Sequence, residues 1–294
     1  MLNRLCLGTV QLGLKYGVNN IIKRKPSRDE SNELLKKSLE VGISTFDTAS
    51  VYGNAEEILG DFGIGNYNVN VISKLKPGIK ECIIENTKNE IMASLKRLRL
   101  SSLDGYLIHD VEDFYNKDIV KGLQICKEER FVKNIGVSIY EPEDALNAVK
   151  SSFVDYIQIP YNVFDQRLNQ TDFFELAEKN KIKIFARSSF LQGLLLMDVN
   201  KMPLYLIDAK PYLIEFEKII KEYGFSKAEA SFLFSYCNND LHKIVFGVET
   251  KTQLLTNVEI ITRATEFSDC YNNLYLNLNF KKIDRKILTP SLWR

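Results

Sequence analysis

Four residues carry the side chains needed for acid–base chemistry at a carbonyl group: Asp47, Tyr52, Lys74 and His109. A phenol titrates at about pH 10 in water, too high to exchange a proton readily at neutral pH. A buried ammonium beside it favours the phenolate and lowers that pKa, while a carboxylate keeps the lysine charged and in place. A histidine at the same site can orient a carbonyl oxygen or help to relay the proton. This set suits protonation of a carbonyl oxygen as hydride reaches its carbon, and because side chains cannot supply hydride, a nicotinamide must.

Taken one at a time, these residues have simpler structural interpretations. A carboxylate after a strand, such as Asp47, is more often a turn or helix cap. Tyr52 alone is more often a packed aromatic, Lys74 a solvated charge at a strand end and His109 a hydrogen-bonded core histidine. The joint occurrence of the four residues is what favours a catalytic site.

Short apolar runs alternate with helical patterns along the chain, as expected of parallel strands buried on both faces. Asp47, Lys74 and His109 each end such a run, and Tyr52 lies just beyond Asp47. The eight predicted strands are Leu5–Val10, Ile43–Asp47, Asn70–Lys74, Leu103–His109, Val132–Val137, Val154–Ile159, Ile182–Ala186 and Lys243–Phe246. This alternation predicts an α/β fold, the (β/α)₈ TIM barrel, in which the carboxyl ends of the strands meet at one mouth.

A doubly wound open sheet is the alternative architecture. Two observations favour the barrel over it. No G-x-G-x-x-G motif follows the first predicted strand, and the titratable residues end successive strands, as a closed ring would place them.

The composition allows one large α/β barrel or two ordinary domains, since the chain has 294 residues and is 45% hydrophobic. No linker is evident, so residues 1–294 are predicted to form a single domain, with 270–294 as a C-terminal tail that the pattern does not assign. The net charge is +1, which gives no field to attract nucleic acid or an anionic membrane. Neither is therefore expected as a partner, although a local phosphate site stays possible.

The N-terminus has no long apolar region behind Arg4, and no run reaches the roughly 18 apolar residues of a membrane helix. A cytoplasmic protein is therefore predicted. The five cysteines are scattered and never form a C-x-x-C pair, and there are two histidines. Neither a disulfide framework nor a metal site is expected from these numbers.

Several motifs resemble those of the aldo-keto reductases in order and spacing, over nearly the whole chain. They are Phe46-Asp47-Thr48-Ala49, Tyr52-Gly53 with Glu56, Ser73-Lys74, Leu107-Ile108-His109 and Gly136-Val137-Ser138. The resemblance implies a barrel that binds NADP(H) at its mouth without a Rossmann domain. It also implies an oxidoreductase that reduces an aldehyde or ketone to an alcohol. Tyr52 would be the general acid, Lys74 and Asp47 would tune it, and His109 would orient the substrate.

Two segments, Leu7–Gly17 and Arg187–Leu195, look most like those of a bacterial subgroup of this family. Some members of the subgroup are associated with surface-polysaccharide or sugar metabolism. A small-molecule carbonyl compound, such as a sugar-related one, is the partner that this resemblance implies. A monomer or small homo-oligomer is expected.

The same resemblance implies where the cofactor binds. The expected cofactor residues are Ser138, Gln158, Arg187, Ser188, Gly247, Val248, Glu249, Lys251, Gln253 and Asn257. In the segment from Gly247 to Asn257, the resemblance implies that backbone amides at a helix N-terminus hold an anion. Many members carry a basic residue there for the 2′-phosphate, whereas this chain has Glu249 in the loop and Lys251 as the nearest cation. NADP(H) is predicted, with NAD(H) as the alternative.

Three departures from the family pattern support a competing hypothesis. Ile139 stands where the family usually has Asn, Arg187 where many members stack a tyrosine on the nicotinamide, and Glu249 lies in the nucleotide loop. They alter the cofactor frame but leave the catalytic set intact, as expected of a nucleotide-binding regulatory protein with little or no turnover. A barrel lyase or isomerase of another family is a third hypothesis, and it predicts no nicotinamide binding.

Overall fold

The computed structural model describes residues 2–264 and 268–293. Eight parallel strands form a closed barrel in sequence order, with the last strand paired to the first. They are Leu5–Gly8 (β1), Thr45–Asp47 (β2), Asn70–Lys74 (β3), Leu103–Ile108 (β4), Val132–Ser138 (β5), Tyr156–Pro160 (β6), Lys183–Arg187 (β7) and Lys243–Gly247 (β8). The predicted (β/α)₈ barrel is confirmed.

The helices surround the barrel and connect its strands. Those described are Val10–Gly13 (α1), Arg28–Glu40 (α2), Ala55–Phe62 (α3), Ile83–Leu98 (α4), Val111–Phe114 (α5), Lys117–Glu128 (α6), Pro142–Val149 (α7), Phe173–Lys179 (α8), Lys210–Glu222 (α9), Lys227–Tyr236 (α10), Lys251–Thr262 (α11), Ser268–Asn277 (α12) and Arg285–Leu288 (α13). Within residues 2–264 and 268–293, every helix is too short or too polar to span a bilayer.

The core has two layers, as the strand pattern requires. Inside the barrel, buried side chains from several strands pack on one another: Cys6, Ile72, Leu107, Tyr156, Phe185 and Val245. A larger apolar layer lies between the strands and the helices. Gly136 on β5 has no room for a side chain, because a Cβ there would press on Leu107 and on the backbone of Tyr156.

The first strand is shorter than the sequence predicts. β1 ends at Gly8, and the predicted strand residue Val10 instead begins the single-turn helix α1. The hydroxyl of Thr9 donates a hydrogen bond to the carbonyl oxygen of Asp47 at 3.0 Å, which turns the chain away from the strand direction. Apolar periodicity cannot distinguish the end of a buried strand from a short buried helix, which explains the error.

The described part of the C-terminal tail, which the sequence pattern does not assign, packs on the barrel. Leu274 and Leu278 of the tail are buried in the main apolar layer. The side-chain amide of Gln166, which follows β6, donates to the carbonyl oxygen of Leu278 at 2.7 Å. The hydroxyls of Tyr161 and Tyr275 lie 3.3 Å apart. The described part of the tail therefore supports the loop that follows β6.

Candidate active site

A cavity of about 370 Å³ opens at the carboxyl ends of the strands. Asp47, Tyr52 and His109 line it, and Lys74 lies against Asp47 and Tyr52. Strand ends are where barrels of this type place their sites, because only there do loops and strand termini meet solvent. The four predicted catalytic residues are therefore brought together.

Lys74 is wholly buried and held by two oxygens. Its Nζ donates to Asp47 Oδ2 at 2.6 Å and to the carbonyl oxygen of Thr48 at 2.9 Å. Burial lowers the pKa of Lys74. The Asp47 carboxylate and Tyr52 raise that pKa by more than burial lowers it, so the net pKa lies above its ordinary value. The lysine is therefore an ammonium ion at neutral pH. The parallel pairing of β2 with β3 fixes this contact, since both residues end their strands.

Tyr52 follows β2 and faces the same lysine. Its hydroxyl oxygen lies 3.5 Å from Lys74 Nζ, and its ring centroid lies 5.0 Å from that nitrogen. Burial raises the pKa of Tyr52; the Lys74 ammonium opposes this rise, Asp47 adds to it, and the net pKa lies above that of an ordinary phenol. The lysine thus acts in the expected direction, but burial outweighs it. The phenol keeps its proton and can donate it.

His109 stands edge-on to Tyr52, with ring centroids 5.8 Å apart and an interplanar angle of 86°. Burial, with further contributions from the positive charges of Lys74 and Arg187, lowers the pKa of His109 to about 3. The imidazole is therefore neutral at neutral pH. Its Nδ1 is buried and has no hydrogen-bond partner among the described residues. A neutral ring of this kind can bind a carbonyl oxygen but does not supply a charged acid.

Ser138 and Gln158, which come from β5 and β6, complete the wall beside the carboxylate. Gln158 Nε2 donates to Asp47 Oδ1 at 2.8 Å, so both carboxylate oxygens of Asp47 are bound. Ser138 Oγ lies 3.5 Å from Gln158 Oε1. The next residue along the chain after Ser138, Ile139, has its side chain in the apolar layer.

Arg187 ends β7, and its guanidinium lies over an aromatic ring. The Cζ atom is 4.0 Å from the ring centroid of Tyr140, a residue that the sequence did not single out. One guanidinium nitrogen donates to the carbonyl oxygen of Ile139 at 3.2 Å and the other to Ser188 Oγ at 3.4 Å. Ser188 has a φ of +66°, a left-handed conformation that is costly for a residue with a side chain.

The turn between β8 and α11 forms the far wall of the cavity. Gly247, Val248, Glu249, Gln253 and Asn257 all line it. The backbone N–H of Glu249 donates to Gln253 Oε1 at 2.7 Å. The neighbouring Thr250 caps α11, because its side chain accepts from the backbone N–H of Gln253. Glu249 is therefore left to face the cavity rather than serve as the helix cap.

Lys251 is the predicted cofactor residue that lies outside the cavity lining. It is exposed at the start of α11, and its Nζ lies 3.6 Å from a carboxylate oxygen of Glu33 in α2. The other predicted cofactor residues, Ser138, Gln158, Arg187, Ser188, Gly247, Val248, Glu249, Gln253 and Asn257, line the cavity.

Residues 16–22, here called the covering segment, also form part of the cavity wall, although none of them is among the predicted catalytic or cofactor residues. Tyr16 and the exposed Ile21 both line the cavity. Gln192, which follows β7, donates from its side chain to the hydroxyl of Tyr16 at 2.8 Å and accepts at its backbone oxygen from Val18 N–H at 3.0 Å. Glu249 Oε2 accepts from Ile21 N–H at 2.9 Å. The segment is thus tied to loops on both sides of the cavity.

Burial raises the pKa of the Glu249 carboxyl, and the backbone N–H groups of Ile21 and Ile22 oppose that rise. Two sequence signals bear on this arrangement. The glycine-rich run that begins at Gln11 predicts a loop over the end of β1, and the span from Tyr16 to Val41 is long enough to cover the mouth. The partner loops are more than a hundred residues away in sequence, as Gln192 and Glu249 show.

The chain is similar to known proteins in sequence and in fold. The sequence model described as "Aldo/keto reductase family" matches residues 4–270. An uncharacterized oxidoreductase of Bacillus subtilis, YqkF, is 27% identical over 203 residues, which cover 64% of this chain and 65% of that protein. A glyoxal reductase of Bacillus subtilis is 25% identical over 231 residues, covering 74% of this chain and 83% of that protein.

Among solved structures, the holo form of the aldo-keto reductase AKR11C1 from Bacillus halodurans superposes with a TM-score of 0.76. It covers 97% of this chain and 95% of the other, at 18% identity. At that identity the superposition shows the shared fold alone. The family match extends over most of the chain, and the chain belongs to the aldo/keto reductase family. It is accordingly an oxidoreductase by family.

Proposed function

We propose that this protein reduces an aldehyde or ketone to an alcohol with a nicotinamide cofactor, and that Tyr52 donates the proton. One observation supports this assignment above the others. Lys74 Nζ lies 2.6 Å from Asp47 Oδ2 and 3.5 Å from the Tyr52 hydroxyl, at the wall of a cavity that also contains His109. An ammonium in that position stabilises negative charge on the phenol oxygen as its proton leaves.

The cavity fits a nicotinamide dinucleotide by the chemistry of its lining. It extends from the catalytic residues to the turn before α11, and its volume is in the range of cofactor and ligand sites. Two of its buried polar atoms, Gln11 Oε1 and Ser189 Oγ, have no hydrogen-bond partner among the described residues. Buried polar atoms are normally paired, so both atoms are available to bind a polar ligand. When bound, the nicotinamide supplies the hydride.

The protein's own groups hold the carbonyl and move the proton. The neutral imidazole of His109 binds the carbonyl oxygen and orients it toward Tyr52. Tyr52 then transfers its hydroxyl proton to that oxygen, and Lys74 stabilises the phenolate that remains. Asp47 holds Lys74, and Gln158 holds Asp47 through the 2.8 Å hydrogen bond. Because Lys74 and Asp47 are buried, water screens the interactions of their charges only weakly.

The test of this proposal is the variant Tyr52→Phe, assayed with NADPH or NADH against a panel of aldehydes and ketones. The panel includes glyoxal, the substrate named for the Bacillus subtilis relative. Removal of a general acid costs about 10²- to 10⁴-fold in rate, so kcat should fall by that factor while nucleotide binding is kept. The exposed Tyr205→Phe is the matched control.

Two outcomes would count against this function. Unchanged turnover in Tyr52→Phe would remove Tyr52 from the mechanism. Tight nucleotide binding by the unaltered protein without turnover of any carbonyl would support the regulatory hypothesis instead.

For the nucleotide, the family resemblance supports NADP(H), but the charges at the far wall support a direct test of NAD(H). Glu249 lines the cavity there, whereas Lys251 faces Glu33 outside it. A carboxylate at this wall repels a 2′-phosphate. We expect Glu249→Lys to increase the affinity for NADPH relative to NADH, measured by quenching of intrinsic fluorescence. An unchanged ratio of the two dissociation constants would place Glu249 away from the 2′ position.

A further inference from the structure

Arg187 is the cation of the cavity. Among the described residues that line the cavity, it alone carries a positive charge at neutral pH, because His109 is neutral. The charge of Asp47 is balanced by Lys74 at 2.6 Å. The hydrogen bonds of the Arg187 guanidinium go to neutral oxygens, those of Ile139 and Ser188. A partly buried guanidinium without a carboxylate is unusual, since buried charges are normally paired.

The guanidinium is held in a fixed plane. Tyr140 stacks on it at 4.0 Å, and the two hydrogen bonds hold its two terminal nitrogens. A guanidinium has five N–H donors, so three of them have no acceptor among the described residues. The next residue, Ser188, is held at a φ of +66°. Strained backbone of this kind is concentrated at ligand clamps and active sites.

Arg187 also stands close to the reacting groups. β7 pairs with β6, which carries Gln158, the residue bound to Asp47. The positive charge of Arg187 opposes the rise in the pKa of Tyr52 and adds to the fall in the pKa of His109. An anion bound by Arg187 would therefore lie near the carbonyl that Tyr52 protonates.

We propose that Arg187 binds the carboxylate of the substrate, so that the preferred substrates are oxo acids rather than neutral aldehydes, ketones or sugars. This inference rests on the proposed reductase function. The planar fork of a guanidinium matches a carboxylate through two parallel hydrogen bonds. One carboxylate also balances one guanidinium, whereas a phosphate dianion would leave excess negative charge near Asp47. The family resemblance assigns Arg187 to the cofactor instead, and the two roles give different results below.

The experiment compares matched pairs of substrates that differ in charge. The pairs are phenylglyoxylate with its methyl ester, and 4-carboxybenzaldehyde with methyl 4-formylbenzoate. We expect the unaltered protein to favour one acid over its ester in kcat/KM. Hydrogen bonds to charged groups are worth about 10- to 100-fold, so Arg187→Gln should reduce the acid-to-ester ratio by that factor. Arg187→Lys should restore part of it, and the exposed Arg130→Gln is the control.

Other outcomes overturn the inference. If both members of each pair lose the same factor in Arg187→Gln and the dissociation constant of NADPH rises, Arg187 serves the cofactor. If the unaltered protein prefers neither acid, no carboxylate is recognised. Dihydroxyacetone phosphate and dihydroxyacetone form a third pair. If the kcat/KM ratio of this pair exceeds the acid-to-ester ratio of both other pairs, the group that Arg187 binds is a phosphate and not a carboxylate.

A binding measurement separates this inference from the proposed function. Mandelate and its methyl ester are non-reducible probes that can be titrated by calorimetry into the protein with bound nicotinamide nucleotide. If no carbonyl is turned over but mandelate binds at least tenfold tighter than the ester, and Arg187→Gln abolishes the difference, the anion site stands and the reductase function fails. Equal binding of both probes overturns the anion site.

Discussion

The two ends of the cavity are built in different ways. At the catalytic end, Asp47 and Lys74 end adjacent strands, are buried, and bind each other directly. At the far end, Glu249 lies in a loop and binds the backbone of the covering segment, as does Gln192 in the loop after β7 on the other side of the cavity. Strand pairing fixes the first arrangement, whereas the second depends on contacts between loops. The barrel therefore fixes the positions of Asp47 and Lys74, whereas the positions of the loops depend on one another.

The largest effect is expected at the catalytic end. Lys74→Met leaves the Asp47 carboxylate buried without its cation, and breaking a buried pair in this way costs about 3–5 kcal/mol. The free energy of unfolding, measured by urea denaturation, should fall by this amount. The exposed Lys76→Met is the matched control and should change stability little. A loss below about 1 kcal/mol in Lys74→Met, the range of an exposed ion pair, would show that the pair is open to water.

The next effect concerns acid stability. The pKa of His109 is about 3 in the folded protein, against an ordinary value of 6.5, so between these pH values the unfolded chain binds the proton more tightly. The stability that His109 contributes is complete above pH 6.5 and is lost as the pH falls toward 3. The slope is about 1.4 kcal/mol per pH unit.

The variant His109→Gln removes the contribution of His109 to the pH dependence of stability. Its free energy of unfolding should depend less steeply on pH in that window, measured by denaturation at a series of pH values. The second histidine, His242, also has a lowered pKa and stays in both proteins, so the difference between the two slopes belongs to His109. Identical slopes would contradict a neutral, buried imidazole.

The smallest effect is expected at the loop end. Glu249→Gln replaces a charged acceptor by a neutral one at the hydrogen bond from Ile21 N–H, which is 2.9 Å long in the protein. Such a change weakens the bond by about 1 kcal/mol. Hydrogen exchange at the amides of residues 18–22 should become several times faster, as measured by mass spectrometry. The exposed Glu259→Gln in α11 is the control, and equal exchange in both variants would show that Glu249 does not hold the covering segment.

The same contrast explains what the sequence could predict. Apolar runs that end in polar residues are a local pattern, and this pattern predicts that Asp47, Lys74 and His109 lie at one mouth. Strand pairing then brings these residues together without further information. The family motifs likewise place Tyr52 and most of the residues predicted to bind the cofactor at the cavity. These are features that a short stretch of chain determines by itself.

What could not be predicted depends on residues that are distant in sequence and lie in loops. The stacking of Arg187 on Tyr140 joins the segments after β5 and β7. The pairing of Lys251 with Glu33 turns the nearest cation away from the cavity, and no pattern around Lys251 indicates it. The left-handed conformation of Gln192, with a φ of +52°, is equally invisible in its side chain.

The pairing of β8 with β1 also affects how the chain reaches its native state. Leu5 is aligned with Ile244 and Gly8 with Gly247, so the first strand is bound on one side by a strand near the other end of the sequence. Contacts between such distant segments form slowly, because a long loop must close before they are rewarded. During synthesis, β1 therefore lacks this neighbour until most of the protein has left the ribosome. The cavity gains its far wall in the same late step.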